Sequence, residues 1–217
     1  MSKYKYLFFD LDGTIIDSFE GVTRSFAYAL RHYGIHVEDM NELLPVLGPP
    51  LRDAFMSMYG FSEKDAIDAV AKYRERYSVH YVDESKLYEG IEDVLFRLYS
   101  DGFKIVLATS KPEHYARTLL EHFNISKYFY LISGASMDKS RDSKTKVLKY
   151  ILEKLDIDDM SEACMIGDRK FDLCGANDLG IDAVGVLYGF GSFEELDACP
   201  NVFLAKSPEE LYNYFAD

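Results

Sequence analysis

The sequence is poor in cysteine and contains no long run of apolar residues. Its 217 residues include only three cysteines, Cys164, Cys174 and Cys199, and no two of them form a Cys-x-x-Cys pair. This usage, with no secretory segment at the N-terminus, is typical of a reducing compartment, so we expect a cytoplasmic protein with buried thiols. No apolar run approaches the roughly 18 residues needed to span a bilayer, so we expect no membrane partner.

Basic charge is also scarce. Lysine and arginine together number 24 against 37 aspartates and glutamates, which gives a formal net charge of −13. Such a chain is repelled over long range by phosphate backbones and anionic membrane surfaces. We therefore expect no nucleic acid polymer as a partner, while a local basic pocket for one small anion remains compatible with this charge.

Short strand-like runs alternate with helix-like stretches along the chain. The runs that are too short for helices and apolar enough for buried strands are residues 6–10, 104–109, 130–133, 163–167, 182–187 and 202–205. Helix start signals lie between them at Pro112, at Ser143, at Ser192 with Glu195, and at Ser207-Pro208. The alternation predicts a doubly wound parallel sheet, a Rossmann-like α/β core with helices on both faces.

Residues 18–86 interrupt this alternation. No strand-like run appears there, and the stretches FEGVTRSFAYALRHYG and SEKDAIDAVAKYRERYSVHYV carry apolar residues at helical spacing. Because the interval is too long for an ordinary crossover, it predicts an all-α domain inserted after the first strand. Residues 1–17 and 87–217 then form the core. We expect Asp17-Ser18 to cap the first inserted helix, and most of the inserted aromatic residues to form that domain's own core.

Two aspartates, Asp10 and Asp12, follow the first strand in the segment YLFFDLDGTIID. Residues two apart on a strand end leave on the same side of the pleat, so the two carboxylates can converge on one point. Two negative charges at so short a distance are tolerated only if a cation is bound between them or if one of the carboxyl groups holds a proton. The pattern alone is equally compatible with an Asp-Gly turn after a strand.

Three later segments strengthen the functional interpretation. Thr109 and Ser110 follow an apolar run, lysines open the helix after Ser143, and Asp168 follows another apolar run, with Asp172 one helical turn later. All of them lie at or beyond the carboxyl end of a predicted strand. Ligands of open parallel sheets bind at that edge.

These segments resemble the four motifs of the haloacid dehalogenase superfamily, and they occur in the same order. The motifs are DxDGT at residues 10–14, a hydroxyl after an apolar strand at Thr109, a lysine at a helix start, and GDxxxD at residues 167–172. The resemblance covers essentially the whole chain, and residues 18–86 correspond to that family's helical cap. Among subfamilies, the sequence is most similar to the phosphoglycolate phosphatase group, which also contains nucleotidases and sugar phosphatases.

The resemblance implies a role for each motif residue. Asp10 is expected to be the nucleophile and a metal ligand, and Asp12 the general acid and base within the same metal site. Thr109, Ser110 and Lys144 are expected to bind the phosphoryl group, and Asp168 and Asp172 to bind Mg²⁺. The substrate would be a small phosphorylated metabolite, and the protein a monomer or weak homodimer.

Two assignments leave alternatives open. The phosphate lysine of many relatives lies in a Lys-Pro run that is absent here; Lys144 is in the first helical turn, but Lys139 or Lys146 could serve instead. Arg52 follows a Gly-Pro-Pro turn and could bind an anionic substrate. A solvated Arg52 paired with Asp53 or Glu63 is an equal alternative.

Several functions compete for these motifs. A phosphomutase or a nucleotidase could use the same fold, whereas a dehalogenase does not need the leaving-group acid that Asp12 supplies. A receiver-type signalling domain also gathers aspartates, threonine and lysine on a parallel sheet, but it has no use for the helical insertion. The segment GFGS at residues 189–192 lacks the third glycine of a dinucleotide site, so we interpret it as a turn.

Overall fold

The structure is a computed structural model that describes residues 3–136, 138 and 140–216. The strands are β1 (Tyr6–Phe9), β2 (Ile16–Asp17), β3 (Lys86–Leu87), β4 (Lys104–Pro112), β5 (Phe129–Ala135), β6 (Ala163–Gly167), β7 (Asp182–Val186) and β8 (Phe203–Ala205). The α-helices are α1 (Phe19–His32), α2 (Leu51–Tyr59), α3 (Glu63–His80), α4 (Ile91–Ser100), α5 (Glu113–His122), α6 (Lys144–Leu155), α7 (Lys170–Asn177), α8 (Phe193–Asp197) and α9 (Pro208–Ala216). Among the described residues, 3₁₀ segments cover Met40–Val46, Ser126–Tyr128 and Met160–Glu162.

Six strands form one parallel sheet in the order β5-β4-β1-β6-β7-β8. Strand β1 can lie in the middle because its side chains are apolar on both faces, and Leu7, Phe8 and Phe9 are fully buried. Phe8 lies in a cluster with residues of α6 and α7, while α4 and α5 also contact β4. The predicted doubly wound parallel sheet is confirmed.

Strand β4 is longer than the sequence predicts. The sequence predicts an end at Thr109, but the strand continues through Ser110 and Lys111, and its Pro112 pairs with Ala135 of β5. Strand β5 also extends beyond residues 130–133 at both ends. Polar residues do not produce an apolar run, so the extension of β4 through Ser110 and Lys111 gives no signal in the sequence.

Contacts within the chain separate two compact units, Met1–Asp17 with Leu87–Asp217, and Ser18–Lys86. The second unit consists of helices α1 to α3 and the 3₁₀ segment at Met40–Val46. Its core includes Phe26 and Phe55, whose rings stack with centroids 4.0 Å apart. Ser18 stands at the N-cap of α1 as predicted, but its buried hydroxyl makes no capping hydrogen bond.

The cysteines only partly follow expectation. Cys164 and Cys199 are buried free thiols, and burial raises the pKa of both. Cys174 is exposed, so the prediction that the thiols are buried is wrong for this residue. No helix in the described part of the chain is both long enough and apolar enough to cross a membrane.

Candidate active site

The predicted motif residues of the core meet at the carboxyl edge of the three central strands. Asp10 follows β1, Thr109 lies near the end of β4, and Asp168 follows β6; β1 pairs with both of the other strands. The Asp10 amide donates a hydrogen bond to the Ile166 carbonyl oxygen (2.9 Å), so the pairing of β1 with β6 continues as far as Asp10 itself. Sheet geometry therefore fixes the separation of Asp10 and Asp168.

Asp10, Asp168 and Asp172 each place one carboxylate oxygen within 4.8 Å of the others. Asp168 and Asp172 are almost completely buried, and the Asp10 side chain is 13 % exposed. Burial, followed by the charge of neighbouring carboxylates, raises the pKa of Asp168 well above its ordinary value and that of Asp172 to about 7. Burying three ionised carboxylates away from water has a high free-energy cost unless a cation is bound beside them.

Lys144 supplies one such cation. It is the first residue of α6, after the N-cap Ser143, and its Nζ lies 2.9 Å from Asp10 Oδ1 and 2.7 Å from Asp172 Oδ1. The ammonium also donates to the Ala108 carbonyl oxygen at 2.7 Å. Burial acts to lower its pKa, but the two carboxylates outweigh that effect and raise it, so the group stays charged.

Only one of the two alternative lysines, Lys146, lies in the described part of the chain, and it does not reach this position. Lys146 is about half exposed and pairs with Asp142 at 2.7 Å. Lys139 lies outside the described residues. Lys144 is thus the described candidate that contacts Asp10.

Asp12 occupies a different environment from the other carboxylates. Lys111 Nζ lies 2.9 Å from each of its two carboxylate oxygens, and the Lys111 side chain is 5 % exposed. The group of three oxygens around Asp10 does not include Asp12, so the assignment of Asp12 to the metal site stays a prediction. No local pattern in the sequence predicts this role for Lys111, because its partner lies 99 residues away along the chain.

The two predicted hydroxyl ligands differ in exposure. Thr109 is buried, and its Oγ1 accepts a hydrogen bond from the Lys111 amide at 3.2 Å. Ser110 is exposed. A third hydroxyl belongs to Thr14 of the first motif. It donates a hydrogen bond to Asp168 Oδ1 at 3.3 Å and so helps to fix that carboxylate.

The GFGS segment is more than a turn, because its glycines enclose Asp168. A Cβ on Gly189 would lie 2.3 Å from the Cβ of Asp168, and one on Gly191 would lie 2.0 Å from the Asp168 carbonyl oxygen. Between them, the Phe190 amide donates to Asp168 Oδ2 at 2.8 Å. Glycine is required here by tertiary packing, which no local motif in the sequence reveals.

Arg52 lies in the helical unit, on α2. Its side chain is 47 % exposed and pairs with Asp53 at 3.3 Å and with Glu63 at 3.5 Å. These are the partners of the alternative interpretation. Its contribution to substrate binding stays a prediction.

The donor set suits a hard divalent cation. At formal charges, the four aspartates of the site outnumber the two ammonium groups, those of Lys111 and Lys144, that form ion pairs of 2.7 to 2.9 Å with them among the described residues. Asp10 Oδ1 is buried and accepts no hydrogen bond of good geometry in the described part of the chain, although Lys144 Nζ is close to it. Carboxylate oxygens are the ligands that Mg²⁺ prefers. The residues present therefore fit this ion.

Comparison with known proteins identifies the family. Haloacid dehalogenase-like hydrolases match residues 7–186. A crystal structure described as a predicted phosphatase from Clostridium acetobutylicum superposes with a TM-score of 0.94 at 41 % identity, over 98 % of both chains.

Curated relatives carry several activity names. A 5'-nucleotidase of Pseudomonas aeruginosa is 41 % identical over 197 residues, which cover 90 % of this chain and 88 % of the relative. Tyrosine-protein kinase PtkA of Mycobacterium tuberculosis is 40 % identical over 87 % of this chain and 64 % of its own length. A phosphoglycolate phosphatase of Vibrio parahaemolyticus is 28 % identical over 98 % of this chain and 96 % of its own. The chain therefore belongs to the haloacid dehalogenase-like hydrolase family, and it is an enzyme of the phosphatase type.

Proposed function

We propose that this chain is a Mg²⁺-dependent phosphatase that hydrolyses small phosphate monoesters through an aspartyl phosphate on Asp10. The observation that carries the proposal is the position of Lys144, whose ammonium lies between Asp10 and Asp172 at the edge of the sheet. A phosphoryl group that approaches Asp10 there meets a fixed positive charge. Charge neutralisation and positioning are the main requirements of phosphoryl transfer.

The first step forms the phosphoenzyme. One Asp10 oxygen forms a bond to phosphorus while the bond from phosphorus to the leaving oxygen breaks. The Asp12 carboxyl group gives its proton to that leaving oxygen, which departs as an alcohol. Lys144 offsets the charge of the phosphoryl oxygens, and the Thr109 hydroxyl binds one of them.

The second step releases phosphate. Asp12, now a carboxylate, takes a proton from a water molecule that attacks phosphorus, and the bond from phosphorus to the Asp10 oxygen breaks. Asp10, Asp168 and Asp172 would hold Mg²⁺. When bound, this ion supplies Lewis-acid neutralisation of the phosphoryl oxygens.

We propose a small phosphorylated metabolite of the cytoplasm as the substrate. The net charge of −13 disfavours polymeric nucleic acid, and the 5'-nucleotidase relative makes nucleoside monophosphates the first compounds to test. Phosphoglycolate, from the more distant relative, and sugar phosphates come next. A mutase would use the same first step and differ in the acceptor.

A phosphotransferase is the second candidate, because PtkA is similar over most of this chain. Such an enzyme passes the phosphoryl group from a donor to a hydroxyl acceptor rather than to water. Inorganic phosphate release in the absence of any acceptor separates the two activities.

The deciding experiment measures phosphate release from a panel of nucleoside monophosphates, phosphoglycolate, sugar phosphates and 4-nitrophenyl phosphate. We expect turnover with Mg²⁺, loss of turnover in EDTA and recovery on readdition. Asp10→Asn should abolish turnover and leave no acid-stable, hydroxylamine-sensitive phosphoenzyme, whereas the exposed matched control Asp158→Asn should behave as wild type. Full activity in EDTA would refute the metal assignment, and a phosphorylated Asp10→Asn enzyme would refute the nucleophile.

A further inference from the structure

A distortion of strand β4 precedes Lys111, whose side chain lies beside Asp12. The β4–β5 pairing passes from Ala108–Ser133 to Pro112–Ala135, so four steps along β4 oppose two along β5. Bulges of this kind redirect side chains next to active sites. Ser110 is exposed, whereas Lys111 is buried.

The surrounding backbone fixes Lys111 in this place. A Cβ on Gly134 of β5 would lie 2.6 Å from the Lys111 carbonyl oxygen, so the close approach of the two strands requires glycine there. The Lys111 amide donates to Thr109 Oγ1 at 3.2 Å. Lys111 is therefore tied to a predicted phosphoryl ligand through its backbone and to Asp12 through its side chain.

The side-chain contact is symmetric. Nζ lies 2.9 Å from Oδ1 and 2.9 Å from Oδ2 of Asp12, which defines the plane and direction of that carboxylate. The Asp12 side chain is 25 % exposed, so without Lys111 it would be free to rotate towards solvent. A general acid acts only within hydrogen-bond reach of the atom that it protonates.

We propose that Lys111 is a positioning residue that aims the Asp12 carboxyl group at the leaving oxygen; this rests on the phosphatase activity proposed above. Leaving groups differ in their need for the proton. A nitrophenolate departs without an acid, whereas a more basic phenolate requires one. Loss of Lys111 should therefore lower the rate more for esters whose leaving group is more basic. Loss of a purely structural lysine would lower the rates of all esters alike.

The test compares kcat/KM along a series of phenyl phosphates with matched shape, from 4-nitrophenyl to 4-methoxyphenyl. This parameter reports the steps up to phosphoenzyme formation and is insensitive to slow dephosphorylation. In Lys111→Met, we expect kcat/KM for the 4-methoxyphenyl ester to fall about 10-fold more than kcat/KM for the 4-nitrophenyl ester. This is the lower end of the activity losses seen when a residue that supports a catalytic group is removed. Lys127→Met, which removes an exposed lysine beside Tyr128, is the control and should leave both rates unchanged.

A double-mutant cycle sharpens the result. If Lys111 acts through Asp12, then adding Lys111→Met to Asp12→Asn should cost little beyond Asp12→Asn alone. Should Lys111→Met fail to fold, Lys111→Gln carries the same test, because an amide cannot hold both carboxylate oxygens and the leaving-group dependence should again steepen. An equal loss for every ester, or full additivity in the cycle, would overturn the inference. Wild-type protein that hydrolyses none of the esters would instead overturn the proposed function.

Discussion

Gly189→Ala should inactivate the enzyme by displacing Asp168 without altering any polar group. The added Cβ would lie 2.2 Å from the Gly13 carbonyl oxygen and 2.3 Å from the Asp168 Cβ. Ordinary contact distances are about 3.5 Å, so these segments must separate by about 1 Å. A misplacement of that size costs about 100-fold in rate, or about 2.7 kcal/mol, and overpacking costs about 1–3 kcal/mol of folding stability.

The assay is kcat/KM for 4-nitrophenyl phosphate with saturating Mg²⁺, together with the melting temperature. Gly21→Ala is the matched control: Gly21 lies in helix α1, its nearest neighbour atom is 3.5 Å from the added Cβ, and alanine favours helix by about 1 kcal/mol. We expect the control to keep its activity and melt slightly higher. A Gly189→Ala enzyme within threefold of wild type would refute the argument that the glycine loop positions Asp168.

Three further predictions test other parts of the molecule. Lys144→Met should remove turnover and destabilise the folded protein by about 3–5 kcal/mol, because it leaves the Asp10 carboxylate without its buried partner; urea unfolding measures this. Hydrogen bonds from Arg76, opposed by burial, lower the pKa of Glu84, so this pair stabilises the folded state at neutral pH and is lost in acid. Glu84→Gln should thus lower the melting temperature at neutral pH. The difference in melting temperature between this variant and the wild type should become smaller below pH 4.5. Arg52→Ala should leave stability unchanged because its ion pairs are exposed, yet lower kcat/KM for an anionic metabolite by about 1.5–3 kcal/mol and spare 4-nitrophenyl phosphate.

The core strands could be predicted because burial on both faces requires continuous apolar runs. Residues 163–167 and 182–186 are strands for that reason, and Ser143 caps α6 through its side chain as its sequence position indicates. The Ser192 hydroxyl likewise accepts from the Glu195 amide, but the Glu195 carboxylate binds Arg169 instead of completing a capping box. Local rules identify elements and miss the tertiary partner that competes for a side chain.

The same limit applies to the candidate site. Asp10, Asp168 and Lys144 were found because each begins or ends a recognisable element. Lys111 and Gly189 were not, since their significance depends on residues distant in the chain. Nothing local distinguishes a glycine in an open turn from one against which a carboxylate packs.

The central position of β1 has a consequence for folding kinetics. Its Leu7 pairs with Ile105 on one side and with Cys164 on the other, so both neighbours of the first strand are synthesised well after it. At about 5–20 residues per second, the strand that precedes Asp10 waits several seconds before its partner strands are synthesised. Pairings of such long range close slowly. During this interval the apolar strand is exposed to association with other chains, and no catalytic site can yet exist.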